Sequence, residues 1–294
     1  MASPPVFRFA PSPNGELHLG HARSALLNQR LAREAGERFL LRTEDIDLAR
    51  CTPEFEAGIY RDLEWLGIEW EEPVRRQSEH FADYAAALER LTTMGVVYPS
   101  FMSRGQIRDH IAERETPARR WPRDPDGAPL YPDVDRGLTR RERKKRIASG
   151  APHAWRLDVA AGIAKAGEKL AWTELGAGPL GETGLVAARP EIWGDVILSR
   201  SDAPASYHLA VTVDDAIQGV TDVVRGQDLF HATAIHCLLQ AVLGLPVPRY
   251  RHHSLIVGED GRKLAKSRRD TGLRALRESG MSAEEVRALA IEGL

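Results

Sequence analysis

Two short segments of this chain combine residue types suited to phosphate chemistry. His18-Leu19-Gly20-His21 comes after a β-prone run, Val6-Phe7-Arg8-Phe9-Ala10, and a loop, Pro11-Ser12-Pro13-Asn14-Gly15; from Leu17 a helical pattern runs on through Leu26, Leu27 and Leu31. A helix that begins there aims backbone N–H groups and two imidazoles at one spot, which favours a polyphosphate. Glycine at 20 would let a nucleotide base lie against the backbone. Far along the chain, Lys263-Leu264-Ala265-Lys266-Ser267 follows a Gly-bearing loop, Gly258-Glu259-Asp260-Gly261-Arg262, and could bring two ammonium groups onto phosphates in a transition state. Each segment alone is weak: histidines at a helix start often merely cap it, and a K-x-x-K-S run is usually solvated loop. Together they suit chemistry at the α-phosphate of ATP.

The elements that must position them read as an α/β fold. Phe39-Leu40-Leu41-Arg42 is a second strand, followed by helices near 53–66 and 79–94; strands are also expected at Val196-Ile197-Leu198, at Tyr207-His208-Leu209-Ala210-Val211-Thr212-Val213 and at Ser254-Leu255-Ile256-Val257. A helix around 229–243 and a last one opened by Ser282 and Glu285, a capping box, complete the pattern. The alternation supports a parallel sheet. Between 99 and 190 proline, glycine and arginine crowd together, so four parts are expected: the first half of a catalytic domain over 1–98, an insertion over 99–190, the second half over 191–257, and the lysine loop with C-terminal helices over 258–294.

With 294 residues the chain can bury a sizeable core, and 40 Lys+Arg against 42 Asp+Glu give a net charge of -2, so overall charge does not announce a nucleic-acid binder. Cys51 and Cys237 are far apart, which fits a reducing cytoplasm rather than a disulfide scaffold, and no apolar run is long enough for a membrane span. A soluble, cytoplasmic monomer is expected.

On the paired segments the sequence resembles the class I aminoacyl-tRNA synthetases. Arg8-Phe9-Ala10-Pro11-Ser12-Pro13 before His18, and Leu41-Arg42-Thr43-Glu44-Asp45 after it, look like the glutamyl branch, as do Tyr207-His208-Leu209-Ala210-Val211, Asp214-Asp215 and Val224-Arg225-Gly226-Gln227-Asp228. The resemblance runs from about residue 6 to 294 and implies a Rossmann-like catalytic domain interrupted by an acceptor-binding insertion, with a short C-terminal helical segment. Because the chain stops about 27 residues after Ser267, where a full glutamyl-tRNA synthetase continues into an anticodon-binding region, it looks like the short subfamily of glutamyl-queuosine tRNA(Asp) synthetases. Its members activate glutamate with ATP and attach it to queuosine in the anticodon of tRNA(Asp).

The resemblance implies a glutamate pocket of Arg8, Phe9, Ala10, Pro11, Ser12, Glu44, Tyr207 and Arg225, an ATP site of His18, Gly20, His21, Lys263, Lys266 and Ser267, and catalytic roles for His18, His21, Lys263 and Lys266. Plain chemistry agrees: Arg8 and Arg225 can grip carboxylates with planar forks, Glu44 can meet the ammonium, and Tyr207 supplies a hydroxyl. The structural alternatives are an Arg8–Glu44 ion pair and a core aromatic at Tyr207. Replacing Arg225 by lysine is expected to harm glutamate affinity far more than stability. Implied partners are L-glutamate, ATP with Mg2+, and queuosine-bearing tRNA(Asp).

Two departures stand out. Ala265 replaces the serine usual at the centre of the lysine motif, and where the subfamily has zinc-binding cysteines this chain has Ser100, Met102, Tyr131 and Asp135, so no structural zinc is expected. Arg140-Arg141-Glu142-Arg143-Lys144-Lys145-Arg146 carries six cations in seven residues, which suits an RNA backbone or a solvated helix face equally well. His231 and His236, on an apolar helix, are expected to be packed histidines without a catalytic role. Rival readings are a truncated glutamyl-tRNA synthetase charging tRNA(Glu), a small-molecule ligase of the pantothenate-synthetase type, and an inactive tRNA-binding module.

Overall fold

A computed structural model describes residues 4–167, 169–256 and 272–292. Ten strands and ten α-helices are found among them. In chain order they are β1 (Val6–Phe9), α1 (Leu19–Ala35), β2 (Arg38–Thr43), α2 (Pro53–Trp65), β3 (Glu71–Arg76), α3 (Phe81–Thr93), β4 (Val97–Ser100), α4 (Arg104–Ala112), α5 (Arg140–Ala148), β5 (Ala154–Leu157), α6 (Val159–Ala166), β6 (Ala171–Glu174), β7 (Gly184–Ala187), β8 (Ile197–Arg200), α7 (Tyr207–Ile217), β9 (Asp222–Gly226), α8 (Thr233–Leu243), β10 (Arg249–His253), α9 (Leu273–Glu278) and α10 (Ala283–Ile291).

The larger sheet runs β3-β2-β1-β9-β10-β6-β7, parallel throughout except for β7, which pairs antiparallel with β6. Both β1 and β9 are buried along their whole length, as parallel strands covered on two faces must be. From β1 the chain winds to β2 and β3 on one side and returns later to β9 and β10 on the other. The carboxyl ends of β1 and β9 therefore flank a topological switch point, where open α/β sheets hold ligands. The fold is the mixed α/β architecture expected.

Helix α1 starts at that crevice. His18 caps it, its imidazole accepting from Gly20 N–H while His21 Nδ1 accepts from His18 N–H, a reciprocal pair that satisfies two of the helix's orphan donors. Arg23, one turn along, is buried and donates to the carbonyl of Ala290 at 2.7 Å, so a cation from α1 meets the C-terminal end of α10. The capping box expected at Ser282 and Glu285 is present.

Four expectations need correction. Residues 207–213 are helix, not strand: Ser206 caps α7 and the segment from Leu209 to Asp215 is buried on every side, so the period that distinguishes a helix from a strand is missing from the sequence. The strand expected at Ser254–Ile256 lies earlier, as β10, whose charged and aromatic residues hide it; Val257 lies outside the described residues. Val196-Ile197-Leu198 does contribute a strand, β8, but to a second, antiparallel sheet ordered β4-β5-β8. Finally, β6 and β7, inside the 99–190 segment, pair into the larger sheet through Glu174 opposite Tyr250. Among the described residues no helix is long and apolar enough to cross a membrane.

Candidate active site

One cavity of about 590 Å³ opens at the switch point, and it is lined by every expected site residue that lies among the described ones: Arg8, Phe9, Ala10, Pro11, Ser12, His18, Gly20, His21, Glu44, Tyr207 and Arg225. Each arrives from the carboxyl end of a parallel strand or the amino end of a helix. Arg8 to Pro11 continue β1, Glu44 follows β2, Arg225 sits near the end of β9, and His18, His21 and Tyr207 belong to the starts of α1 and α7. Lys263, Lys266 and Ser267, together with Ala265, lie outside the described residues.

The two imidazoles at α1 are 3.8 Å apart between ring centroids. Since Nδ1 of each accepts a backbone N–H, the proton of each neutral ring is on Nε2. Gly20 has a structural reason beyond room for a base: a Cβ there would come within 3.0 Å of the His18 ring.

Arg225 is the most heavily bonded group in the cavity. Its Nε donates to His252 Nε2 at 3.1 Å, and Nη2 donates to Thr233 Oγ1 at 2.7 Å and to the Leu229 carbonyl at 3.1 Å. Nη1 makes the longer contacts, to the Tyr207 hydroxyl at 3.3 Å and His236 Nδ1 at 3.4 Å. A substrate carboxylate would displace those weakest bonds. Tyr207, accepting from Arg225, keeps its own proton to donate, so the pair presents an N–H and an O–H side by side.

His252 is fixed from behind by Glu174, whose carboxylate takes the ring's Nδ1–H at 2.6 Å and the backbone N–H at 2.8 Å. Burial lowers the His252 pKa to about 4, so the ring is neutral and Nε2 is a true acceptor for Arg225. Burial alone would push the Glu174 carboxyl up, but the hydrogen bonds from His252 hold it below its ordinary value. On the far side, His236 passes its Nε2–H to His208 Nδ1 at 3.2 Å. Of the two histidines expected to be packed on the apolar helix, His236 is buried and touches Arg225, whereas His231 is exposed and precedes the first turn of α8.

The Arg8 fork is closed by Asp215, with Nε to Oδ1 at 3.1 Å, and not by Glu44. Glu44 is paired instead with Arg42, wholly buried, which also donates to Asp215 at 2.7 Å and to Gln218 at 2.9 Å. Burial pushes the Glu44 carboxyl above its ordinary value, opposed by Arg42 and Arg8; an arriving ammonium would favour its ionised form. Asp214 completes the network, taking bonds from Arg75, Gln77 and Tyr84. Arg42, Asp215, Asp214, Glu174 and His252 were not singled out for roles in the sequence reading. For Arg42, Asp214, Asp215 and Glu174 the only local signal is a charged residue beside apolar ones, and His252, between Arg251 and His253, has not even that.

A smaller cavity, about 360 Å³, adjoins the first; it shares Ser12, Glu44 and Tyr207 and extends past Asp47, Arg50, Ser199 and Arg200.

The four positions matching the subfamily's zinc ligands do not fit zinc. The Tyr131 hydroxyl donates to Asp135, and burial with that carboxylate pushes the phenol far above its ordinary value, so it does not become a ligand. Asp135 also accepts the Phe101 N–H at 2.8 Å. The Arg156 guanidinium lies 3.8 Å from the Tyr131 ring centroid and donates to Ser100 Oγ at 3.1 Å, which puts a fixed cation where a dication would have to sit. Among the described residues no group of three or more His, Cys, Asp or Glu is placed to hold a metal.

Comparison with known proteins follows the same lines. The family described as "tRNA synthetases class I (E and Q), catalytic domain" matches residues 6–289. A glutamyl-Q tRNA(Asp) synthetase of Rhodobacter capsulatus is 45% identical over 97% of this chain and 99% of its own length. One from Symbiobacterium thermophilum is 40% identical over 95% of this chain and 83% of its own. Among solved structures, a glutamate-tRNA synthetase from Elizabethkingia anophelis superimposes with a TM-score of 0.73 at 27% identity, covering 94% of this chain and 54% of that one.

Proposed function

The chain belongs to the catalytic-domain family of class I tRNA synthetases for glutamate and glutamine, and from that premise we propose that its cavity adenylates L-glutamate and hands it to queuosine in the anticodon of tRNA(Asp). Activation of glutamate and transfer to tRNA make it a ligase that converts ATP to AMP and pyrophosphate. The observation that carries the reading is the single cavity in which a carboxylate-gripping Arg225–Tyr207 pair, the Glu44 carboxylate and two imidazoles on a helix N-terminus converge.

The side-chain carboxylate of glutamate takes the Arg225 Nη1–H and Tyr207 O–H, and its ammonium lies against Glu44. That leaves the α-carboxylate directed at His18 and His21. ATP enters as its magnesium complex. An oxygen of the α-carboxylate attacks the α-phosphorus, the bond to the β-phosphate oxygen breaks, and pyrophosphate leaves. His18 and His21 donate Nε2–H to the charge growing on the α-phosphoryl oxygens, aided by the α1 N-terminus; Lys263, Lys266 and Ser267 would meet the departing phosphates. In the second step a hydroxyl of the modified base, held in the smaller cavity, attacks the adenylate carbonyl and AMP leaves. The glutamyl specificity and queuosine as acceptor rest on the relatives' names together with the pocket chemistry. The reading places the enzyme in the cytoplasm.

The test is direct. Glutamate-dependent exchange of pyrophosphate into ATP is expected with no tRNA present, because the glutamate contacts all come from this chain. Labelled glutamate is then expected on a tRNA pool containing queuosine and not on one lacking it. Exchange that required tRNA, or label on tRNA(Glu), would overturn the reading.

The misfit at Ser100, Met102, Tyr131 and Asp135 gives a second expectation: untagged protein carries far less than one zinc per chain, and a chelator leaves the melting temperature unchanged. Stoichiometric zinc whose removal lowers that temperature would refute it.

A further inference from the structure

The basic run at 140–146 forms α5, and the helix sorts its cations onto two sides. Arg143 turns in, its guanidinium 5.4 Å from the Tyr98 ring centroid and bonded to the Arg136 carbonyl. Arg146 turns in as well, 5.2 Å from the Phe101 ring centroid and 3.5 Å from Asp135. These two arginines anchor the helix to the cluster of Tyr98, Phe101 and Asp135 beside β4. Arg140, Arg141, Lys144 and Lys145 are left, all exposed. At about 100° per residue they span an arc of about 140° on the opposite side of the helix. Among the described residues no carboxylate lies within ion-pairing distance of any of them.

Such a face is unfavourable by itself. Arg140 with Lys144, and Arg141 with Lys145, are like-charge pairs one turn apart, which weaken an isolated helix. Thr139 and Glu142 offset this with a reciprocal cap. The concentration of charge is also local, in a chain whose net charge is -2. Its place in the fold matters too. The strand after α5 begins at Ala154, which pairs with Ser100 on one side and Arg200 on the other, so the helix enters the small sheet at the end that carries Arg200, a wall of the smaller cavity.

We propose that the outward face of α5, formed by Arg140, Arg141, Lys144 and Lys145, docks the phosphate backbone of the tRNA whose modified base enters the smaller cavity. The inference rests on the tRNA reading above, and adds to it the surface that holds the RNA away from the chemistry. The contact is with phosphates, so it is independent of sequence and falls with salt.

The test uses the whole protein with all four residues changed to glutamine, and a charge-keeping control, R140K with R141K. Binding of labelled tRNA is followed against salt concentration. The quadruple variant is expected to bind about tenfold or more weakly at moderate salt, with the slope of log affinity against log salt reduced by roughly 2 to 3, whereas the control stays close to wild type. Exchange of pyrophosphate into ATP without tRNA should be unchanged in both, which shows that the fold and the glutamate site survive. Unaltered tRNA affinity and salt slope in the quadruple variant would overturn the proposal, as would wild-type protein that binds no tRNA. Failure of the functional reading shows separately, as loss of tRNA-free exchange or label on the wrong tRNA.

Discussion

Lysine in place of Arg225 is expected to raise the KM for glutamate roughly thirty- to hundredfold in pyrophosphate exchange, the loss of one charge-assisted hydrogen bond of about 2–3 kcal/mol. An ammonium has three donors radiating from one atom, whereas the Arg225 guanidinium reaches His252, Thr233, Leu229, Tyr207 and His236 from three separate nitrogens. Lysine can satisfy some of these and still lack the Nη1–H that faces the carboxylate. The same geometry revises the expectation that stability would be spared. The Thr233 hydroxyl, 3.4 Å from His252 Nε2 and 3.5 Å from the Leu229 carbonyl, can donate to only one of these two acceptors at a time, so the other loses its donor and urea denaturation should report a loss of about 1–3 kcal/mol as well. A variant with wild-type KM would remove Arg225 from the glutamate site; one with raised KM and unchanged stability would show that its other partners are not held as the structure has them.

What the sequence revealed and what it hid follow the range over which each feature is built. The His18–His21 cap is local: strand, loop and helix start lie within about sixteen residues, and the residue types declare the chemistry. The resemblance pointed to Arg225 and Arg8, but not to the groups that fix them. Glu174 reaches His252 from a strand 78 residues away, and Asp215 reaches Arg8 across 207. No periodicity encodes such pairings. The reading of 207–213 as strand failed because burial of every residue from Leu209 to Asp215 erased the amphipathic signal there. The strands at 171–187 were missed in a related way: short strands among prolines and glycines look like loop until β10 is there to pair with. By contrast, the zinc misfit was visible as a list of side chains, and the structure adds why they cohere, since Arg156 and Tyr131 occupy the space a metal would need.

Acidification from about pH 7.5 to about pH 5.5 is expected to reduce the free energy of unfolding by roughly 3 to 5 kcal/mol, well before most carboxylates titrate. Four buried histidines set this. Burial lowers the pKa of His208 and of His252 to about 4, lowers His236 far below its usual value, and lowers His253 as well. For His208, His236 and His252 the hydrogen bonds demand neutral rings, whereas the Ser24 hydroxyl can also accept from a protonated His253. His252 Nε2 and His236 Nδ1 each accept from Arg225, His208 Nδ1 accepts from His236, and the His253 ring lies 2.7 Å from the Ser24 hydroxyl and 2.9 Å from the Ser254 carbonyl. In the unfolded chain the same rings bind protons near pH 6.5, so between there and about pH 4 the unfolded state holds more protons and stability falls with pH. Above about pH 7 neither state is protonated and the contribution is complete. Glu44 and Asp62, whose carboxyls burial pushes up, act in the opposite sense and offset part of the loss. Urea titrations at the two pH values measure the change. His252→Gln should flatten it in part, since an amide can accept from Arg225 and donate to Glu174 without taking up a proton. A stability that stayed level, or rose, between those pH values would mean that the histidine chain behind Arg225 is not held neutral, and the geometry derived for the glutamate site would lose its support.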